Sequence, residues 1–233
     1  MNNPPAGQIP LPLNLGDKAT FENFWVGHNT ELVQAIHSSV QTSEPRLIYF
    51  YGPGSAGKSH LLFAAMKLAR EEIVNTSYLS LSDAKVTPDL LAVVDVAHLV
   101  CVDDLQSWGG DRDRERALFT LFEQVRHHGG QLLLTATNPP EKCGFGLADL
   151  VSRLASGLVY PLRALTEEQQ FEALKMRARN RGLSIADDAV KYLLSRASRD
   201  TGELFRLLDD IDRASLIEKR KITIPFLQRV MQS

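Results

Sequence analysis

Gly52-Pro53-Gly54-Ser55-Ala56-Gly57-Lys58-Ser59 fits the GxxxxGK[ST] pattern of a phosphate-binding loop, and its flanks are those the pattern requires. Ahead of it, Arg46-Leu47-Ile48-Tyr49-Phe50-Tyr51 is an apolar, aromatic run that reads as a buried parallel strand. Behind it, residues 60–70 contain neither Gly nor Pro and read as a helix. Strand, loop and helix in this order imply nucleotide binding. The segment from Pro53 through Gly54, Ser55, Ala56 and Gly57 curls so that backbone N–H groups face a polyphosphate. Lys58 reaches the β and γ phosphates, Ser59 ligates Mg²⁺, and the helix that carries His60 points its positive end at the anion.

A chain of 233 residues with 44% hydrophobic and 23% charged content has ample material for a core, in one large domain or a large one with a small one. A formal net charge of −2 gives no whole-protein field that would draw it to nucleic acid or membrane. No apolar run approaches ~20 residues, and the first residues are polar and Pro-rich rather than basic and then apolar. A cytoplasmic location with no membrane contact is the expectation. Cys101 and Cys143 show no CxxC spacing and read as free, reduced thiols.

Along the chain, residues 1–18 hold Pro4, Pro5, Pro10 and Pro12 and few charges, which suits an extended tail. Helical periodicity covers residues 29–40, then the phosphate-loop strand and helix follow. Residues 76–81 alternate like a strand, 88–94 read as a short helix, and 96–102 as a second buried strand. A helix over 112–127 stops at Gly129-Gly130, and 131–137 reads as a third buried strand. The alternation predicts an α/β fold with a parallel sheet covered on both faces, over residues 19–162. From 163 to 233 strand-like runs nearly vanish and four amphipathic helices are expected. The first opens with the capping-box side chains of Thr166-Glu167-Glu168-Gln169.

Leu99-Val100-Cys101-Val102-Asp103-Asp104 supplies the expected partner of the phosphate loop, about 45 residues downstream. A buried strand would deliver Asp103 toward the metal and Asp104 toward the water that attacks a γ phosphate. Asp104 is a methylene shorter than the usual Glu, so slow or conditional hydrolysis is expected. Thr137-Asn138 ends the next strand. Turn chemistry before Pro139-Pro140 explains it by itself, but its place in the order of motifs favours a γ-phosphate sensor or water-orienting role. Asp111-Arg112-Asp113-Arg114-Glu115-Arg116 reads as a solvated helix face, and Trp108-Gly109-Gly110 as a loop that packs or meets a partner.

The phosphate loop, the Asp pair, Thr137-Asn138, Asp149-Leu150-Val151-Ser152-Arg153-Leu154 and a helical C-terminal segment together resemble an AAA+ ATPase. The opening segment Thr20-Phe21-Glu22-Asn23-Phe24-Trp25-Val26-Gly27-His28-Asn29 is similar to the family of the bacterial replication initiator DnaA. Leu132-Leu133-Leu134-Thr135, Ser152-Arg153-Leu154 and Ile222-Thr223-Ile224-Pro225-Phe226 carry the same similarity. It spans about residues 19–233 and includes neither the initiator's N-terminal domain nor its helix-turn-helix domain. The resemblance implies an AAA+ P-loop three-layer parallel sheet followed by a small all-helical lid domain. It also implies that Val26 and Gly27 lie near the base of an adenine nucleotide, ADP or ATP.

In that family pattern Arg153 is an arginine finger, a guanidinium aimed at a neighbour's nucleotide; read by itself it would be a surface arginine paired with Asp149. The family's second sensor arginine falls at Gly202 here. Arg206, one turn on, either reaches in from the same face or the contact is absent. Gly7-Gln8-Ile9-Pro10-Leu11-Pro12-Leu13 resembles the peptide by which proteins dock on the DNA sliding clamp. Gln8 would hydrogen-bond while Leu11, Pro12 and Leu13 lie along an apolar pocket.

The resemblance thus implies a regulator that sits on the clamp and stimulates hydrolysis of DnaA-bound ATP through Arg153, with weak turnover of its own. DNA contact would be mainly indirect, and an exposed finger leaves room for self-association into dimers or larger assemblies. The competing expectations are a free-standing ATPase, such as a helicase loader on single-stranded DNA, and a clamp-tethered scaffold with a degenerate nucleotide site.

Overall fold

The computed structural model describes residues 19–42, 46–72, 74–94, 98–196, 201–218 and 221–231. Gln8, Leu11, Pro12 and Leu13 lie outside the described residues. The chain divides into two compact units, one built on His28–Pro53 and Lys58–Arg163, the other on Ala164–Ser233 with Glu22–Gly27 and Gly54–Gly57.

The first unit runs α1 (Thr30–Gln41), β1 (Leu47–Tyr51), α2 (Lys58–Glu71), β2 (Thr76–Ser80), α3 (Pro88–Ala92) and β3 (Leu99–Asp103). A 3₁₀ turn at Leu105–Trp108, α4 (Arg112–His127), β4 (Gln131–Ala136), a second 3₁₀ turn at Pro140–Lys142, α5 (Ala148–Ala155) and β5 (Leu158–Pro161) follow. Five strands form one parallel sheet in the order β2-β3-β4-β1-β5. The three central strands, LIYFY, LVCVD and QLLLTA, are apolar on both faces because helices cover both. The edge strand β5 is the least buried. Strand alternation sends Tyr49, Leu79, Val100, Val102, Leu132 and Leu134 into one hydrophobic layer with Leu118, Leu121, Phe122 and Val125 of α4 and Leu150 and Leu154 of α5. On the remaining positions Ile48, Phe50, Cys101 and Leu133 are fully buried. The helices α1 and α2 pack against each other and α2 against β2, β3 and β4.

Two elements were not legible as such in the sequence. The helix α5 has only eight residues and β5 four, too short for periodicity to declare either. The strand β5 is held by its ladder to β1 and by Asn29, which donates Nδ2–H to the Arg163 carbonyl (3.1 Å) and accepts from the Arg163 N–H (2.8 Å). Of the two readings of Trp108 the packing one holds: it ends the 3₁₀ turn, is 1% exposed and is part of the sheet's hydrophobic layer.

The second unit is helical: α6 (Glu167–Asn180), α7 (Asp187–Arg196), α8 (Thr201–Glu218) and α9 (Ile224–Val230). Thr166 caps α6 with a full capping box, its hydroxyl accepting from the Gln169 N–H while the Gln169 side chain accepts from the Thr166 N–H. Leu174, Ala178, Val190, Leu204 and Leu208 make one cluster. Ala189, Leu193, Ile211, Ile222, Phe226 and Leu227 make another.

Candidate functional site

The end of β1 passes directly into the phosphate loop. The Gly52 N–H donates to the Ala136 carbonyl (3.1 Å), and the Leu162 N–H donates to the Tyr51 carbonyl (2.6 Å), so the loop leaves the sheet between β4 and the end of β5. Ser55 has φ 56° and Gly57 φ 102°, both in the left-handed range. A Cβ on Gly57 would lie 2.8 Å from the Phe24 ring, so this position needs glycine for conformation and for space. Among the described residues no atom lies within 4 Å of where a Gly54 Cβ would be. The curled backbone, open at Gly54 and running straight into the first turn of α2, suits a polyphosphate. Pro53, Gly54 and Ser55 are exposed, and Ala56 and Gly57 half-buried.

Lys58 opens α2 and is 7% exposed, with Nζ donating to the carbonyls of Gly52 and Pro53, both at 2.9 Å. Burial lowers its pKa, while the carboxylates of Asp103 and Asp104 act in the opposite direction. The ammonium is thus oriented by the loop itself. His60 Nε2 lies 2.9 Å from the Thr20 carbonyl, which ties α2 to the opening segment.

Asp103, at the end of β3, is 1% exposed and surrounded by donors. Its Oδ2 accepts from Ser59 Oγ (2.5 Å) and Tyr78 OH (3.0 Å). Its Oδ1 accepts from Thr135 Oγ1 and from the Asp104 N–H (3.1 Å). Tyr78 and Thr135 were missed in the sequence, since each sits in a strand where nothing in its spacing marks it. Burial, then the Asp103 charge, pushes the Tyr78 phenol well above its ordinary pKa, so it remains a donor. An exposed Ser59 hydroxyl beside a fixed carboxylate is a hard-oxygen pair, which fits Mg²⁺ bound largely through water and phosphate.

Asp104 adopts a left-handed backbone, φ 60° and ψ 44°. Its carboxylate accepts from Ser82 Oγ (2.9 Å) and Gln106 Nε2 (3.1 Å). Gln106 in turn accepts from the Thr137 N–H (3.1 Å), and Asn138 Nδ2 donates to Thr137 Oγ1 (3.1 Å). The structure therefore brings Ser59, Asp103, Asp104, Thr137 and Asn138 into one hydrogen-bonded group at the C-terminal ends of β3 and β4, where parallel sheets place ligands.

Arg153 stands outside that group. It lies on α5 beside the inward-facing Leu150 and Leu154, with its side chain 42% exposed. Its partner is Glu123 of α4 (Nε to Oε1 3.2 Å) rather than Asp149. The acidic–basic string at the start of α4 is also not wholly solvated. Glu115 is 1% exposed, and its carboxylate accepts the N–H groups of Gly110, Gly146 and Leu147.

In the helical unit, Val26 is half-buried and Gly27 has φ 52°, with the Gln169 amide 3.3 Å from where its Cβ would be. Arg206 is exposed on α8 and donates Nε–H to the Gly202 carbonyl at 3.3 Å. Cys101 and Cys143 are free and buried, and burial raises both thiols. No helix among the described residues is long and apolar enough to cross a membrane.

Two family models match the chain: the bacterial DnaA ATPase domain over residues 15–161, and the lid domain of Hda over residues 167–231. Among solved structures, domain III of the Thermotoga maritima replication initiation protein DnaA is similar with TM-score 0.75 at 18% identity, covering 92% of this chain and 95% of that one. AMPPCP-bound DnaA from Aquifex aeolicus is similar with TM-score 0.70 at 24% identity, over 88% of this chain and 68% of that one. The Thermotoga maritima RuvB Holliday junction branch migration motor has TM-score 0.67 at 16% identity, over 94% and 72%. The likeness establishes an AAA+ P-loop sheet with a helical lid, as the motif order had implied.

Proposed function

The chain belongs to the bacterial DnaA ATPase-domain family, and from that membership we propose that it is a nucleotide-binding negative regulator of replication initiation. It docks on the sliding clamp through Gln8, Leu11, Pro12 and Leu13, meets ATP-bound DnaA edge to edge, and stimulates hydrolysis of the initiator's ATP through Arg153. The match of residues 167–231 to the Hda lid favours this reading over a stand-alone motor. The observation that carries it is the Arg153 guanidinium, 42% exposed on α5 and held among the contacts described by one ion pair, to a Glu123 carboxylate whose other oxygen stays with Arg126. Such a group can leave Glu123 at little cost and neutralise charge on the phosphoryl being transferred in a partner's site, an effect worth about 10³ to 10⁵ in rate where fingers have been measured.

The chain's own residues fit an adenine nucleotide with Mg²⁺. The backbone from Pro53 to Gly57 and Lys58 would hold the phosphates, Ser59 and Asp103 the metal, and Val26 and Gly27 the base end. The metal, when bound, supplies charge neutralisation to the phosphates. In this reading Asp104 is a poor base for its own site. Its carboxylate is engaged by Ser82 and Gln106, and it is shorter than glutamate. The bound nucleotide shapes the regulator for assembly rather than serving as its fuel. Phosphate release from ATP-loaded initiator, mixed with clamp on primed DNA and this chain with or without residues 1–17, tests the assignment. The full chain should stimulate release and the truncated one should not. Equal stimulation by both would remove the clamp from the account.

A further inference from the structure

We propose that Glu115 is a positioning residue for the arginine finger: its buried carboxylate fixes the start of α5 and thereby the place at which Arg153 is presented. The inference rests on the reading of Arg153 given above. Glu115 Oε1 accepts from the Gly110 N–H at 2.8 Å and shares the Gly146 N–H at 3.0 Å with Oε2, which also accepts from the Leu147 N–H at 2.7 Å. Leu147 is the N-cap of α5 and Gly146 the residue before it. One side chain on α4 thus joins the turn that follows Asp104 to the first amides of the finger helix.

The arrangement is specific to a carboxylate. Three backbone donors converge on a group that is 1% exposed, and only an acceptor-only side chain with two oxygens satisfies all of them. A buried carboxylate without such donors would be strongly unfavourable. The two loops it joins are already in contact. A Cβ at Gly109 would lie 2.3 Å from the Cys143 carbonyl oxygen, so no other residue permits that approach. The helix α5 has eight residues and is too short to hold its own geometry in water. Leu150 and Leu154 anchor its inner face, and Leu147 at the N-cap packs against the same layer, so the amides held by Glu115 set where and at what angle the helix begins. Arg153 lies six residues beyond Leu147, about 9 Å along the axis at 1.5 Å per residue, so a small pivot at the start moves the guanidinium appreciably. Misplacement of a catalytic group by about 1 Å costs on the order of 10²-fold in rate.

Glu115→Gln keeps the shape but turns an NH₂ group toward backbone donors. In the reconstituted reaction with clamp, primed DNA and ATP-loaded initiator, we expect this variant to lower the maximal stimulation by about 10²-fold. The concentration giving half-maximal effect and the chain's own nucleotide affinity should stay as in the wild type. Full maximal stimulation by Glu115→Gln, or a loss confined to the half-maximal concentration, overturns the inference. Hydrogen exchange on the wild-type chain decides the matter should the variant fail to fold. The Gly146 and Leu147 amides precede the hydrogen-bond ladder of α5, yet must exchange slowly; fast exchange there overturns it. Arg153→Ala is run alongside. Retained stimulation by that variant would defeat the underlying reading of the finger, an outcome distinct from a failure of Glu115 alone.

Discussion

The Arg153 guanidinium lies against Glu123, with Nε 3.2 Å from Oε1, while Arg126 takes the other oxygen at 2.7 Å. Glu123 Oε1 is screened from solvent but receives no directed hydrogen bond from the described residues, so its link to Arg153 is an ion pair of modest geometry. With both side chains partly exposed and Glu123 still paired to Arg126, the Arg153 contact is worth about 0.2–1 kcal/mol, which caps its effect at roughly fivefold. Glu123→Gln should therefore change stimulation of the initiator by less than about fivefold in steady-state phosphate release. A loss as large as that of Arg153→Ala would mean that Glu123 is itself part of the partner's reaction centre.

Asp103 carries four hydrogen bonds, and Tyr78 supplies the one that comes from the neighbouring edge strand. Removing an outer hydrogen bond to a metal-ligating carboxylate typically costs 10- to 100-fold in metal affinity. Tyr78→Phe should weaken ADP binding by about tenfold with Mg²⁺ present and leave it unchanged in EDTA, as titration calorimetry would show. Equal weakening in both conditions would make Tyr78 a packing residue only.

The Thr166 capping box secures the first helix of the lid. Thr166→Ala removes one acceptor for orphan amides and should cost about 1 kcal/mol. For a chain of this size that lowers Tm by about 2–4 °C in calorimetry.

Lys175 donates to Asp187 at 2.6 Å, and this hydrogen bond holds the Asp187 carboxyl below its ordinary pKa of 3.8. A depressed carboxylate contributes stability that is present above the ordinary value and lost as pH falls through the lowered one. The lid should therefore lose thermal stability on acidification below about pH 4, and Asp187→Asn should flatten that part of the curve. An unchanged slope in the variant would assign the acid sensitivity to other carboxylates.

Local chemistry made much of this fold legible. The phosphate loop needs its own residues at fixed spacing, the central strands need apolar residues on both faces, and the Thr166 cap needs its box. What escaped depends on contacts between distant segments. Glu115 sits in a string of alternating charges that reads as solvated. Yet the buried stripe Leu118, Leu121, Phe122 and Val125, extended one turn back at helical spacing, places position 115 on the inner face. That period was the available signal. The Arg153–Glu123 pair crosses between helices, whereas spacing along one helix suggested Asp149. Tyr78 and Thr135 become partners of Asp103 only through the register of β2, β3 and β4. The eight-residue α5 has too few turns for a period to stand out.

The most direct measurement is the rate of hydrolysis of initiator-bound ATP, with clamp on primed DNA, in the presence of wild-type chain or Arg153→Ala. Arg153→Ala should bind nucleotide and clamp as the wild type does but give no stimulation, a loss of about 10³-fold or more. Stimulation within a few-fold of wild type would contradict the finger role of Arg153.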